Sequence, residues 1–406
     1  MPLLILFCAL LCSMARSFGG PSIAVKSIFP FATADRVHID CVLQSGAAGV
    51  AVVDGSIVDP SGQPLWTGEL GAVKFDGSQE TVTNWDITGL RPRLWSPSTP
   101  VLYRLNVFVK TNNNLAAQFS TRLGFRSFST RDGQLALNGR PVFLRGLAIN
   151  PPGRTIPAAT GESRTFAEAY VRFLKAHHVN IIRLTQDSQV WFDVCDELGM
   201  MIYQGVYGAP PGADSKRAPP ADVEKSIAAY KDLFDTYARH PSIVIYVLAN
   251  ELPASGSRGK AFHEFLEKAH AALQSWDSTR LYIANAGYGE GREGDICDVH
   301  RYWGWYYNTF LTYCNLRDGA LFGDPGKNQP ITFSECVGNF TAPSGAYNLI
   351  VRKQLGAQLN WTGHADNQSA AALAYQSFMV KQAAESFRRL RPINPRLAGL
   401  MPFTIL

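Results

Sequence analysis

Two hydrophobic rhythms divide the chain. From about residue 20 to 128, apolar and polar positions alternate in short runs, as in Val37-His38-Ile39-Asp40-Cys41-Val42-Leu43 and Leu102-Tyr103-Arg104-Leu105-Asn106-Val107-Phe108-Val109. A period of two places one face of a strand on a core and the other in water. Turn formers such as Asp59-Pro60-Ser61-Gly62 and Asn112-Asn113-Asn114 punctuate the runs. About 110 residues of this kind predict an immunoglobulin-like β-sandwich over 20–128, with Trp95 and Tyr103 as core anchors.

From about residue 134 to 406 the rhythm changes to short continuous apolar runs separated by amphipathic stretches, the signature of βα repeats. The runs predict eight strands: Val142–Leu144, Val179–Leu184, Met200–Tyr203, Ile243–Leu248, Leu281–Ala284, Asp298–Tyr302, Ile331–Phe333 and Ala398–Phe403. Between them, Thr165-Phe166-Ala167-Glu168 has capping-box spacing and opens a helix to about His178. Trp191–Leu198 is closed by Gly199, Asp222 caps a helix over 223–238, and further helices cover 259–275 and 369–390. The expected fold is multidomain, β then α/β: the sandwich followed by a (β/α)8 TIM barrel over 134–406. A final helix normally follows strand eight, so the barrel is expected to be truncated there.

Chemistry concentrates at two strand ends. Ile243–Leu248 runs into Ala249-Asn250-Glu251, and Gln329-Pro330-Ile331-Thr332-Phe333-Ser334 runs into Glu335. The carboxyl ends of barrel strands are where such enzymes place their reactive groups. A single strand-end Glu is more simply read as satisfied by a neighbour. Two of them, 84 residues apart and so about two to three βα units along, suit the acid/base and nucleophile of a glycosidase.

Several segments in order carry a resemblance. His240 to Glu251 (HPSIVIYVLANE) and Gln329 to Glu335 (QPITFSE) resemble the acid/base and nucleophile segments of glycoside hydrolase family 2, which includes β-galactosidases, β-glucuronidases and β-mannosidases. Leu94-Trp95-Ser96-Pro97 with Pro100 and Leu102-Tyr103 is similar to the sandwich signature of that family. Gly124-Phe125-Arg126 and Leu137-Asn138-Gly139-Arg140-Pro141-Val142-Phe143-Leu144-Arg145-Gly146 are similar to its lead-in to the barrel. The resemblance implies Glu251 as general acid/base, Glu335 as nucleophile, Asn250 on the sugar 2-hydroxyl and Arg183 orienting the nucleophile. Val299 to Tyr306 is similar to an N-x-YYGWY segment, with Tyr302 on the Tyr that bonds the nucleophile. Trp303 and Trp305 are cleft candidates for stacking on sugar, with core packing an equal alternative.

The chain departs from the pattern in places. Gln186 and Asn150 stand where the family often has His, His300 stands for an Asn, and Gln204 for a carboxylate. Leu400-Met401-Pro402-Phe403 replaces a strand-eight Trp. These positions shape the sugar subsite, so a retained mechanism with a changed sugar preference is expected, with Gln186, Asn150 and His300 kept among the substrate-binding candidates. The resemblance implies an N-terminal jelly-roll domain, which these residues are not expected to supply before the sandwich. An enzyme that works without it, one that takes it from another chain, or a partial gene product is therefore expected. The expectation is a retaining exo-β-glycosidase. The rivals are a catalytically impaired carbohydrate-binding relative, a partial gene product, an endo-acting enzyme of a related barrel family and a metal-dependent barrel hydrolase. The last needs His clusters at strand ends, which the eight His residues do not form.

Composition adds exclusions. The chain is 46% hydrophobic and 17% charged, enough for a large core, and its net charge of +5 over 406 residues gives no reason to expect nucleic acid. Arg388, Arg389, Arg391 and Arg396 read as a solvated helix end. No phosphate loop or zinc-type spacing occurs, and the mechanism requires no metal or cofactor. Seven scattered cysteines do not form a disulfide framework; Cys297 and Cys314 are open to pairing, and Cys336 reads as packing. Residues 1–17 resemble a secretory signal too short to span a bilayer, and sequons at Asn339, Asn360 and Asn367 agree with export, so a secreted glycoprotein without a transmembrane span is expected. A homo-oligomer is left open.

Overall fold

The computed structural model describes residues 23–77, 80–149, 157–185, 187–253, 255–287, 293–302, 326, 328–337 and 369–405. The alternating N-terminal segment forms β1 (Ile23–Ala32), β2 (Val37–Ser45), β3 (Ala48–Val58), β4 (Pro64–Asp76), β5 (Glu80–Ile87), β6 (Tyr103–Thr111) and β7 (Asn114–Leu123). They make two antiparallel sheets, β1-β2-β5 and β4-β3-β6-β7. The alternation sets the inward faces. Val37, Ile39, Cys41 and Leu43 of β2 meet Tyr103, Leu105, Val107 and Val109 of β6 in one buried cluster. Tyr103 is a sandwich anchor, as expected. Trp95, also fully buried, instead packs with barrel residues, and its indole N–H donates to the Asp196 carbonyl at 2.9 Å. Its loop leaves the sandwich, and Lys175 of the barrel grips the Pro97 carbonyl at 2.6 Å.

A small sheet of β8 (Phe128–Arg131), β9 (Gln134–Leu137) and β10 (Arg140–Pro141) bridges the two parts. Asn138 and Gly139 both have positive φ, 53° and 75°, as a two-residue hairpin turn requires. The first barrel strand begins later than the apolar run suggested. Pro141 pairs back with Ala136, and the Val142 N–H donates to Leu135, so Val142 belongs to the hairpin.

The barrel strands are β11 (Leu144–Ile149), β12 (Ile181–Leu184), β13 (Met201–Gly205), β14 (Ile243–Val247), β15 (Leu281–Ile283), β16 (Cys297–Arg301), β17 (Ile331–Cys336) and β18 (Leu397–Ile405). They form one eight-stranded parallel sheet in the order β15-β14-β13-β12-β11-β18-β17-β16. Gly287, just past β15, bonds β16 through Asp298 and His300 and draws the ends together. The described helices are α1 (Ala158–Gly161), α2 (Arg164–Ala176), α3 (Gln189–Leu198), α4 (Val223–Asp235), α5 (Gly256–Trp276) and α6 (Ser369–Leu390). Every residue of β14 is buried, which explains its unbroken apolar run. Tyr246 and Leu248 pack against Tyr230, Phe234 and Phe262 of the helices, whereas Ile245 and Val247 join Tyr203, Ile283 and Met401 inside the barrel. Two caps match the sequence: Asp222 accepts from the Lys225 N–H at 3.0 Å, and Gly199 closes α3 at φ 73°. The cap of α2 is Ser163, accepting from Phe166, so the capping-box reading at Thr165 was displaced by two residues. No described helix is long and apolar enough to cross a membrane.

The sandwich sits at the amino ends of the barrel strands, and one side chain pins it there. Arg126, fully buried, donates to the carbonyls of Pro241 (2.7 Å), Thr279 (2.6 Å) and Ile243 (2.7 Å), at the roots of β14 and β15. Burial first, then the neighbouring Arg280, pushes its guanidinium down to about 9. A cation held there against that cost is doing what carbonyl oxygens need: each orphaned buried acceptor would cost about 1–3 kcal/mol. Arg126→Ala should therefore lower folding stability by roughly 3 kcal/mol or more, read as a fall in the urea midpoint, whereas Arg131→Ala, at an exposed pair, should leave the midpoint unchanged.

Candidate active site

At the opposite ends of the strands a chain of polar side chains converges. Arg183 comes from β12, Tyr203 from β13, Asn250 and Glu251 from the end of β14, Asp298 and His300 from β16, and Thr332, Ser334 and Glu335 from β17. Arg183 is its hub. Its Nη1 lies 2.6 Å from Glu335 Oε1, its Nη2 donates to Asn250 Oδ1 at 2.7 Å, and its guanidinium lies 4.6 Å from the centre of the Tyr207 ring. The side chain is only 2% exposed. Burial opposes the charge, but Glu335, then Tyr203, Tyr207 and Asp298, hold the guanidinium above its ordinary value. Tyr302 donates to the other oxygen of Glu335, and burial, followed by Glu335, raises its phenol.

Local irregularities aim these groups. Between β16 and β17, Asp298 pairs with Thr332 but His300 pairs with Glu335, so two steps on one strand face three on the other. Strict alternation would send Ser334 and Glu335 to opposite faces; the extra residue lets both reach the β16 side chains. Val337, two residues beyond Glu335, has φ 48°, unusual for a β-branched residue. Glu251 itself has φ 53°. Its N–H is held by the Ala286 carbonyl at 2.8 Å and that of Asn250 by Gly208 at 3.0 Å, so the strained turn is fixed from both sides.

The two carboxylates end in different surroundings. The Glu335 side chain is 9% exposed and that of Glu251 is 42% exposed. His300 stands between them, 4% exposed, with Nδ1 2.9 Å from Glu251 Oε1 and 3.5 Å from Glu335 Oε2. The His300 bond, with the charges of His300, Lys216 and Arg183, holds Glu251 below the usual carboxylate range against the effect of burial. On its other side His300 Nε2 lies 3.2 Å from Ser334 Oγ, and Ser334 donates to Asp298 at 2.6 Å. Asp298 also accepts from Thr332 at 2.6 Å and Tyr203 at 3.2 Å, and burial raises its carboxyl. Oxygen and nitrogen atoms of Glu251, His300 and Glu335 all lie within 4.8 Å of one another, as do those of Asp193, Asp196 and His240. Each group already faces an internal cation, Arg183 on Glu335 and Arg239 on Asp193, which opposes a metal ion there.

Of the residues singled out from sequence, Arg183, Asn250, Glu251, His300, Tyr302 and Glu335 therefore meet in one site. Asn150, Gln186, Trp303 and Trp305 lie outside the described residues, as do Cys314, the leader and the three sequon asparagines. Gln204, on β13, is buried. Sequence reading missed Asp298, Ser334, Tyr203 and Gly287. The first had a signal: Asp298 and His300 are two apart and share a strand face. Gly287 had none, since its role is to leave space. A Cβ there would lie 2.7 Å from His300 Nδ1 and 3.0 Å from Glu251 Cγ, at φ 113°. Because a broken buried pair leaves an uncompensated charge, Arg183→Met should cost roughly 3 kcal/mol or more, and Glu335→Gln added to it should recover at least half, measured by denaturant unfolding in a double-mutant cycle.

Comparison with known proteins bears on the family and the fold. The family model for glycosyl hydrolases family 2 matches residues 30–126, and the model for the TIM barrel domain of that family matches residues 128–355. A protein named beta-galactosidase 2 from Enterobacter cloacae is 28% identical over 311 residues, covering 70% of this chain and 28% of that protein. A beta-galactosidase from Priestia megaterium is 25% identical over 221 residues, or 51% of this chain and 20% of that protein. Among solved structures, Bacteroides uniformis beta-glucuronidase superposes with a TM-score of 0.69 at 18% identity, covering 95% of this chain and 45% of that one. Parabacteroides merdae beta-glucuronidase does so with a TM-score of 0.65 at 20% identity, covering 94% and 47%. The chain thus spans less than half of each of these relatives. With matched models spanning both the sandwich and the barrel, this chain belongs to glycosyl hydrolases family 2.

Proposed function

We propose that this chain is a retaining exo-β-glycosidase that removes terminal β-linked sugars by double displacement. The observation that carries the reading is the approach of a Glu251 and a Glu335 carboxylate oxygen to within 4.8 Å. Retaining enzymes hold their carboxyl groups about 5–5.5 Å apart and inverting ones about 6.5–9.5 Å, to seat a water between them. This nearest-oxygen approach, with one His300 nitrogen facing both acids, supports the shorter class.

The surroundings support one role for each. Glu335 has one oxygen on Arg183 and the other on Tyr302, so both neighbours fix it as an acceptor aimed from β17. That arrangement suits a nucleophile attacking the anomeric carbon. Glu251, more open to solvent, suits the general acid that protonates the departing glycosidic oxygen and then the base that takes a proton from water. Asn250 spends its carbonyl oxygen on Arg183, which leaves its amide hydrogens as donors or its remaining lone pair as acceptor for a sugar hydroxyl. The sugar itself is left open: the relatives carry both beta-galactosidase and beta-glucuronidase names.

Hydrolysis of a panel of aryl β-glycosides (galactoside, glucuronide, mannoside, glucoside and glucosaminide) tests the reading. At least one should be cleaved, Glu251→Ala should lose about 10²–10⁴-fold on substrates with poor leaving groups, and azide should rescue Glu335→Ala as the inverted glycosyl azide. A wild type that cleaves none of the five, or variants that match it, removes the proposal. A second expectation concerns space rather than chemistry: Gly287→Ala should lower kcat by about tenfold or more by displacing Glu251 and His300, with the unfolding midpoint measured alongside to separate misplacement from misfolding.

A further inference from the structure

We infer that His300 is a positioning residue that shares a single proton with Glu251 and so stores the proton that the general acid delivers. The inference rests, for its catalytic consequence, on the glycosidase reading above.

Hydrogen-bond accounting leads to it. Ser334 has one proton, and at 2.6 Å from Asp298 Oδ2 it is directed at that carboxylate, which Thr332 and Tyr203 also approach with hydroxyl groups. Ser334 then has only lone pairs to offer His300, so His300 Nε2 donates to it across 3.2 Å. A neutral imidazole with its proton on Nε2 has a bare lone pair on Nδ1. Yet Nδ1 lies 2.9 Å from Glu251 Oε1, and an ionised carboxylate has no proton to give. Two acceptors at that distance repel, so one further proton lies between them. It sits on His300 as imidazolium or on Glu251 as carboxylic acid. Glu335 Oε2, 3.5 Å from the same Nδ1, adds a second negative neighbour. The remaining charged or titratable groups around the pair are Asp298 (3.7 Å from Nε2), Tyr302 and Arg183 through Glu335, Tyr203 through Asp298, and Lys216 acting on Glu251.

In solution an imidazole outcompetes a carboxylate for a proton by about two pH units. The depressed carboxyl of Glu251 points the same way: the His300 bond, ahead of every other cause, favours its ionised form, so in the pair the imidazole is the proton's holder. With His300 beside it, the steps balance. As the glycosidic C–O bond breaks and Glu335 bonds the anomeric carbon, the leaving oxygen takes the proton through Glu251, and Nδ1 of His300 is left bare. When water attacks that carbon and releases Glu335, Glu251 accepts the water proton and passes it to Nδ1. One proton leaves with the alcohol and one returns from water. Gly287 makes the arrangement possible, since a side chain there would occupy the space of Nδ1.

Imidazole-nitrogen NMR of the full chain, with histidine labelled and His300 assigned from His300→Asn, reads the proton directly and needs no turnover. Both nitrogens of His300 should carry protons at neutral pH, and Glu251→Gln should strip the one on Nδ1 alone. A neutral His300 protonated on Nδ1, or no response to Glu251→Gln, overturns the inference. On whichever glycoside the wild type cleaves, the basic limb of kcat/KM for a poor leaving group should move down by about one to two pH units in His300→Asn, while the dinitrophenyl glycoside, whose leaving group needs no proton, should change less than about threefold. A uniform loss across pH and substrates would mean packing alone and would also overturn it. If the nitrogen signals show the shared proton but no glycoside is cleaved, the pair stands and the glycosidase reading falls.

Discussion

A guanidinium buried inside a parallel barrel is the constraint around which this site is built. Taking such a cation out of water costs several kcal/mol, and only close counter-groups offset it. Arg183 is 2% exposed and meets that requirement with a carboxylate, an amide oxygen and two phenol rings. Each of those groups is thereby fixed. Glu335 cannot swing away without leaving a buried charge unpaired, and the Asn250 amide has its flip determined by the guanidinium. The cost of any other arrangement thus holds both side chains in one geometry.

The two ends of the barrel are held by different means. At the amino ends, Arg126 ties the sandwich to three carbonyls, and this end carries stability. At the carboxyl ends, the chain accepts strain. Glu251 and Val337 sit at positive φ, and β17 carries an extra residue against β16. Non-glycine residues in that region persist only where their surroundings over-determine them. Here the backbone bonds from Ala286 and Gly208 do so beside Glu251.

Much of this was legible in the chain. The change from period two to continuous apolar runs marked where the sandwich gave way to βα units, and the two Glu residues stood out because each ended such a run. Arg183, Asn250 and Tyr302 were reached through a family resemblance, and they lie within one bonded network with Glu335. What escaped has a physical reason in each case. Val142 looks like strand, but a hairpin captured it before the barrel began. Ser334 should face away from Glu335 by alternation, and only a bulge, which no local residue announces, brings both inward. Asp298 shows only its spacing to His300 along the chain, and its three hydroxyl donors come from two other strands, which local sequence does not bring together.

His300 shows how a single departure changes the meaning of its neighbours. Read from the sequence, it belonged with the residues that touch sugar. In the structure its ring is 4% exposed, and both nitrogens are engaged by the protein, one with Glu251 and one with Ser334. An asparagine amide at that position would be fixed in polarity, offering a donor at one atom and an acceptor at the other. An imidazole can hold one proton or two, so its polarity depends on the state of the acid beside it. Two carboxylates that must differ in protonation are usually separated by burial on one side and a fixed charge on the other. Here Arg183 supplies the fixed charge to Glu335, while Glu251 faces a titratable partner instead. The two carboxylates thus meet different partners: Glu335 a guanidinium that keeps its charge, and Glu251 an imidazole that can hold one proton or two.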